Sequence, residues 1–103
     1  MFRWLSYAVE ALRAGAWPRV RREHLLKEPE CIACGRAKDL EVHHVVPYSN
    51  EPGLELDPAN LVTLCADPCH FVHGHLMSWT RFNPEVREDC ARYRAKLEKS
   101  KHG

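Results

Sequence analysis

The chain has 103 residues, of which 45% are hydrophobic and 28% charged; this fits one soluble globular domain with a core too small to stabilise it by much on its own. No run of about 18 apolar residues occurs, and the opening MFRWLSYAVEAL is too interrupted and too polar downstream for a signal peptide or a spanning helix, so the chain reads as intracellular and without a membrane partner. The formal charge of +1 hides an uneven spread, with residues 1–27 at +4, residues 28–67 at −6 and residues 68–103 at +3.

A carboxylate-rich middle repels a polyanion. Basic flanks could still grip phosphates on either side of a site whose bound cations offset that charge, although solvated helix faces give the same counts. Five cysteines, an odd number in a chain without a secretion signal, argue against a disulfide framework and toward metal thiolates.

From the N-terminus, Leu5, Ala8, Val9 and Leu12 share one helical face, predicting a helix from Phe2 to Ala14 that Gly15 stops. A second short helix is expected from about Pro18 through Leu25 and Leu26 to Lys27, ended by Pro29. CIACG reads as a tight metal-binding knuckle with a glycine just after its second thiolate. After RAKD, the run LEVHHVVP has strand composition and is terminated by Pro47. YSNEPGLELDPAN is a loop, and NLVTLC is a second strand. ADPCHFVHGHLM begins a helix with Asp67 as its cap and Pro68 at its first position. A charged terminal helix follows from Asn83 and Pro84 to about Lys99, with Val86, Tyr93 and Leu97 available for packing.

Two cysteine pairs about thirty residues apart suit a tetrahedral Zn²⁺, which takes four soft ligands delivered two at a time by short knuckles. Cys31, Cys34, Cys65 and Cys69 meet that demand, and four thiolates would close the coordination sphere, making the zinc structural. Buried cysteines packed as small hydrophobes are the plainer alternative. A second group holds His43 and His44 at a strand end, Asn60 before the next strand, and His70, His73 and His75 on the following helix. Neighbouring side chains on a strand face opposite ways, so the adjacent pair could serve one site only if the strand bends or finishes there.

In this order and spacing, CIACG, LEVHHVVP, NLVTLC and the final CH resemble the zinc-bearing branch of the HNH endonucleases over about Cys31 to His75. The lead-in WPRVRREHLLKEPECIACG is similar to the basic helix that precedes the knuckle in small members of that family. The resemblance implies an α+β fold: a ββα-metal core, with a two-stranded antiparallel hairpin packed on a helix, flanked by N- and C-terminal helices and stapled by a four-cysteine zinc site. Residues 1–103 then form one nuclease domain, with basic helices over 1–30, knuckle and core over 31–76, and a terminal helix over 77–103.

Roles carry over by position. The resemblance makes His43 a ligand of a catalytic divalent cation, His44 the general base, Asn60 the residue that holds the long loop and helps to orient His44, and His70 the second metal ligand. His73 stands where the family commonly has a basic residue; it is a candidate third ligand, since i and i+3 share a helix face, or a phosphate contact. The extra residue in CADPC could rotate His70 from the usual register. His24, His75 and His102 read as solvated or capping residues and Cys90 as a buried bystander. Trp4, Trp17, Trp79 and Phe82 read as core or lid packing ahead of base-stacking platforms, and Arg19, Arg21 and Arg22 as DNA-backbone contacts or an exposed helix face.

The implied activity is metal-assisted hydrolysis of DNA, by nicking or cleavage of low sequence specificity, leaving 5′-phosphate and 3′-hydroxyl ends. A neutral-pKa histidine suits the activation of water and a cation suits the departing oxygen. Mg²⁺ or Mn²⁺ is expected at the catalytic site, with Ni²⁺, Co²⁺ and Zn²⁺ also compatible. The implied setting is cytoplasmic, bacterial or phage-like, and the implied state a monomer or weak homodimer. Two rivals stay open: a non-catalytic zinc module that binds nucleic acid or protein, and an HNH-type RNase or a nuclease active only with its phage or mobile-element partners.

Overall fold

The computed structural model describes the backbone of residues 2–102 and the side chains of residues 15–101. The apolar face of Leu5, Ala8, Val9 and Leu12, together with Trp4 and His102, has its side chains outside the described residues. The elements run in the order α1 (Phe2–Lys27), β1 (Leu40–His44), β2 (Leu61–Cys65), a π-helical turn (His70–Gly74) and α2 (Val86–His102). The result is a small α+β fold, a two-stranded antiparallel hairpin with a helix at each end of the chain. No described helix is long and apolar enough to cross a membrane.

Two helical expectations need correction. The separate helices expected on either side of Gly15 are one continuous helix, with Pro18 inside it. Gly15 does not adopt the left-handed conformation that lets a glycine end a helix. Pro18 gives up one backbone hydrogen bond, a loss that good helix formers on both sides accommodate. The helix expected to start at Pro68 is instead a five-residue π-helical turn, preceded by a cis Asp67–Pro68 peptide.

The hairpin pairs Leu40 with Cys65 and His44 with Leu61. All five residues of β2 are buried, as its Leu-Val-Thr-Leu-Cys composition demands. Burial of Leu61, Val62 and Leu64 contributes about 1.5–3 kcal/mol each. At Thr63 the outer edge of β2 is closed from two sides. The Thr63 N–H donates to the Glu28 carboxylate at 2.7 Å, and its carbonyl accepts from the Ile32 N–H at 3.0 Å. Its hydroxyl donates to the Glu28 carbonyl at 2.8 Å, so the segment leaving α1 is fastened to the strand.

The knuckle is shaped by its own backbone. The Gly35 N–H donates to the Cys31 carbonyl at 2.9 Å, and Gly35 has φ +81°, which a glycine adopts without strain. A β-carbon there would also lie 3.0 Å from the Arg94 guanidinium. Arg94 reaches across from α2 to Glu30 at 3.1 Å and to the Cys31 carbonyl at 3.4 Å, while Arg87 donates to the Leu61 carbonyl at 2.6 Å. Val86 and Cys90 complete a core with Cys31, Ala33, Val62, Leu64, Cys65 and Cys69. Cys90, read as a bystander, is thus a core residue, and burial foremost pushes its thiol up to about 12, so it packs as a neutral group.

Replacing Glu28 by alanine leaves the fully buried Thr63 N–H without its acceptor. We expect a loss of about 1–3 kcal/mol in urea unfolding of the metal-loaded protein. Glu28→Gln, which keeps an acceptor oxygen, recovers most of it.

Candidate metal centres and cleft

The cysteine cluster is built by three segments. The knuckle supplies Cys31 and Cys34, the end of β2 supplies Cys65, and the chain just before the π-helical turn supplies Cys69. The four sulfurs lie within 4.8 Å of one another, a spacing that could hold one metal ion. The thiols are not equivalent. Burial alone would raise Cys31, but backbone N–H groups, that of Cys34 foremost, favour its thiolate and bring it below the ordinary thiol value. Burial raises Cys34 and, more strongly, Cys69.

The histidine cluster takes one side of the cleft. β1 finishes at His44, which resolves the problem posed by adjacent imidazoles: the two side chains leave opposite faces of the last strand residues, and the cleft wraps around the strand end. His43 turns inward, 3% exposed, against the π-helical turn. Its Nδ1 lies 3.1 Å from His70 Nε2, which lies 3.2 Å from His75 Nε2.

His75, expected to be solvated or capping, caps the C-terminal end of the π-helical turn and is also the third member of the group. His73 is not part of it; its ring packs 4.8 Å from Tyr93 on α2. The reason is the helix type. On an α-helix, i and i+3 share a face. A π-helical turn closes its hydrogen bonds at i+5, so position 75 comes back over position 70 while position 73 is carried away.

Three observations bear on whether a cation fits there. A metal with bonds of about 2.0–2.1 Å to nitrogen sets its ligands about 2.9 Å apart at right angles and about 3.4 Å apart at the tetrahedral angle, which brackets the observed separations. The Nδ1–H of His75 donates to the Arg81 carbonyl at 2.7 Å, which fixes the tautomer and leaves a lone pair on Nε2. Among the described residues the buried Nε2 of His43 has no hydrogen-bond partner. Burial, and then the imidazoles of His70, His75 and His44, push His43 down to about 3; burial also lowers His70. Both are neutral near pH 7, the state in which imidazole ligates. The donor set fits a divalent ion.

Close packing holds the group. A β-carbon on Gly74 would lie 3.1–3.3 Å from atoms of the His43 ring, so only glycine lets the turn approach so near. Asn83, buried, donates its backbone N–H to the Gly74 carbonyl at 3.1 Å and its side-chain amide to the His73 carbonyl at 3.1 Å.

His44 points the other way. Its Nε2 sits 2.9 Å from the Glu55 carbonyl and 3.3 Å from the Glu55 carboxylate. Both partners are acceptors, so Nε2 carries the proton and Nδ1 the lone pair. The Trp17 ring of α1 lies 4.7 Å from the imidazole. The Asn60 side chain makes three hydrogen bonds, accepting from the Val46 N–H and donating to the Val46 and Leu54 carbonyls. None goes to His44. Asn60 fixes the loop residue next to Glu55, and Glu55 meets the imidazole.

His43, His44, His70 and His75 line a cleft of about 240 Å³ with Val42, Pro47, Tyr48 and Glu55. Arg19 and Arg22 are exposed on α1, Arg19 beside Glu23 at 3.9 Å, and Arg21 lies one turn beyond Trp17, partly buried. Sequence reasoning passed over Glu55 and Gly74 and gave His75 no part in binding a metal. Only the spacing of His70 and His75 carried a signal, and it is legible only for a π-helical turn.

Residues 31–75, a little under half of the chain, match the family model described as HNH endonuclease. No curated protein and no solved structure gives a significant match. The matched stretch opens at the first cysteine of the knuckle and closes at the third histidine of the cleft, and over this segment the chain is similar to the HNH endonucleases.

Proposed function

We propose that the protein is a divalent-metal-dependent endonuclease that hydrolyses DNA phosphodiester bonds with low sequence specificity, leaving 5′-phosphate and 3′-hydroxyl ends. The observation that carries this reading is the convergence of His43, His70 and His75 on one side of a cleft whose other side holds His44 with an oriented ring. In this reading zinc would fill the four-cysteine cluster, joining the knuckle to the hairpin and taking no part in the chemistry.

In this reading His43, His70 and His75 would hold the catalytic cation. A divalent ion bound there polarises the scissile phosphate and stabilises the departing 3′ oxygen. His44 acts from the opposite side. Its Nδ1 lone pair takes a proton from water as the water oxygen bonds to phosphorus and the bond from phosphorus to the 3′ oxygen breaks. Glu55 supports the step twice, because its carbonyl and carboxylate both hold the Nε2 proton in place and offset the positive charge that the ring gains. Asn60 positions Glu55 through the loop, and the exposed arginines of α1 supply phosphate contacts without sequence readout.

The nuclease reading is tested with supercoiled plasmid and metal-stripped protein to which Mg²⁺ or Mn²⁺ is returned. We expect nicking, and a fall of about 10²–10⁴-fold in His44→Ala with both metal sites still loaded. If the wild type leaves plasmid intact with every divalent metal while keeping its fold, a binding module or a partner-dependent nuclease is the better description.

Ligand assignment is tested by metal analysis of separate variants. His75→Ala should lose the histidine-site metal and retain the cysteine-site metal, whereas His73→Ala keeps both. Retention of both metals by His75→Ala would refute the assignment. Gly74→Ala should weaken the histidine site alone, because the added methyl presses on the His43 ring.

A further inference from the structure

Leaving the π-helical turn, the chain makes a tight loop before α2. Leu76 and Met77 both adopt positive φ, 54° and 64°, a conformation that L side chains with branched or long chains avoid. Hydrogen bonds hold the loop in that shape: Met77 N–H to the Phe71 carbonyl at 3.0 Å, Ser78 N–H to the His75 carbonyl at 3.0 Å, and Arg81 N–H to the Ser78 carbonyl at 2.9 Å. The bond from His75 Nδ1 to the Arg81 carbonyl ties the loop to the histidine cluster itself.

What the loop presents is apolar and wet. Trp79 is 61% exposed and Met77 68% exposed. The Trp79 ring lies 4.9 Å from His75, 5.4 Å from His70 and 4.9 Å from Phe71, at interplanar angles of 54°, 76° and 47°, so it leans on the cluster without stacking flat on any of these rings. Arg81, two residues on, is exposed and forms no ion pair among the described residues. Packing accounts for the contacts with the histidines. It does not account for a strained turn that displays an indole and a thioether to solvent, with an exposed arginine two residues on.

We infer that Met77 and Trp79 form a platform for an unpaired nucleobase of the DNA, with Arg81 placed for an adjacent phosphate, so that the protein prefers strands with exposed bases over continuous duplex. The inference rests on the nuclease reading for the position of the scissile phosphate. Its chemistry is independent of that reading. An indole offers a π-face to any base without reading sequence, methionine serves as an apolar wedge between bases, and the guanidinium meets the negative charge that every nucleotide brings. In a continuous duplex both faces of each base are covered by its neighbours. A single strand, a bulge, an overhang or a branch leaves a face free.

The test uses the full chain loaded with metal, carrying His44→Ala so that binding is read without cutting. Two labelled oligonucleotide substrates differ only in a short unpaired stretch, with 2-aminopurine at one unpaired position. We expect the unpaired substrate to bind at least tenfold more tightly than the full duplex, with quenching of the 2-aminopurine. Trp79→Ala should remove about 5- to 150-fold of that affinity, leave duplex binding nearly unchanged and lose the quenching, while Trp79→Phe keeps most of it. Equal binding of both substrates by the parent, or an equal loss on both in Trp79→Ala, overturns the inference. Should Trp79→Ala shed the histidine-site metal, Met77→Ala with its metals intact decides: a lost preference sustains the platform, and an unaltered one removes it. Plasmid cutting without any preference for unpaired bases leaves the nuclease standing and the platform refuted. Trp79-dependent binding with no cutting under any metal does the reverse.

Discussion

The four-cysteine cluster is the constraint on which the rest of this small structure depends. Four of the eight buried members of the core are cysteines, and three of these belong to the cluster. Thiols packed without a metal contribute little more than small apolar side chains of their size. With one ion shared among them, the knuckle, the end of β2 and the start of the π-helical turn become a single cross-linked unit, and binding free energy becomes folding free energy. The elements that join it do so through polar contacts at its edges: Glu28 on Thr63, Arg87 on Leu61, Arg94 on Cys31.

The position of the histidines follows. Cys69 is one residue before His70, so an ion that gathered the cysteines would also fix where the π-helical turn begins relative to β1. From that start the wide turn brings both His70 and His75 to His43. The same strand end sends His44 to the opposite side, where Glu55 and Trp17 hold it. With both sites filled, the two metal-compatible clusters would stand in a hierarchy, the sulfur site setting geometry and the nitrogen site using it.

Much of this was legible in the residues. Paired cysteines, strand composition and prolines at the ends of runs are local signals, and they located the knuckle, both strands and the long loop. The continuity of α1 was not legible, because Gly15 and Pro18 carry the signals of a helix end and a helix start, and only a structure shows that neither is used so. The π-helical turn was also hidden: its residues read as the start of an ordinary helix, and helical periodicity selects His73 where the wider turn selects His75. Glu55 gave no signal at all, since its meeting with His44 is made by loop closure through Asn60 across a stretch without regular strand or α-helix.

The central claim, that the cysteine-bound metal organises the histidine site, is tested most directly by titrating the metal-free chain with zinc while amide hydrogen exchange is followed in the hairpin and the π-helical turn. The account predicts that protection of Leu61–Cys65 and His70–Gly74 is absent without metal and rises together as the cysteine cluster fills, reaching its plateau at about one equivalent. Full protection of both segments in the metal-free chain would contradict it, because the core would then hold the histidines in place without the sulfur-bound ion.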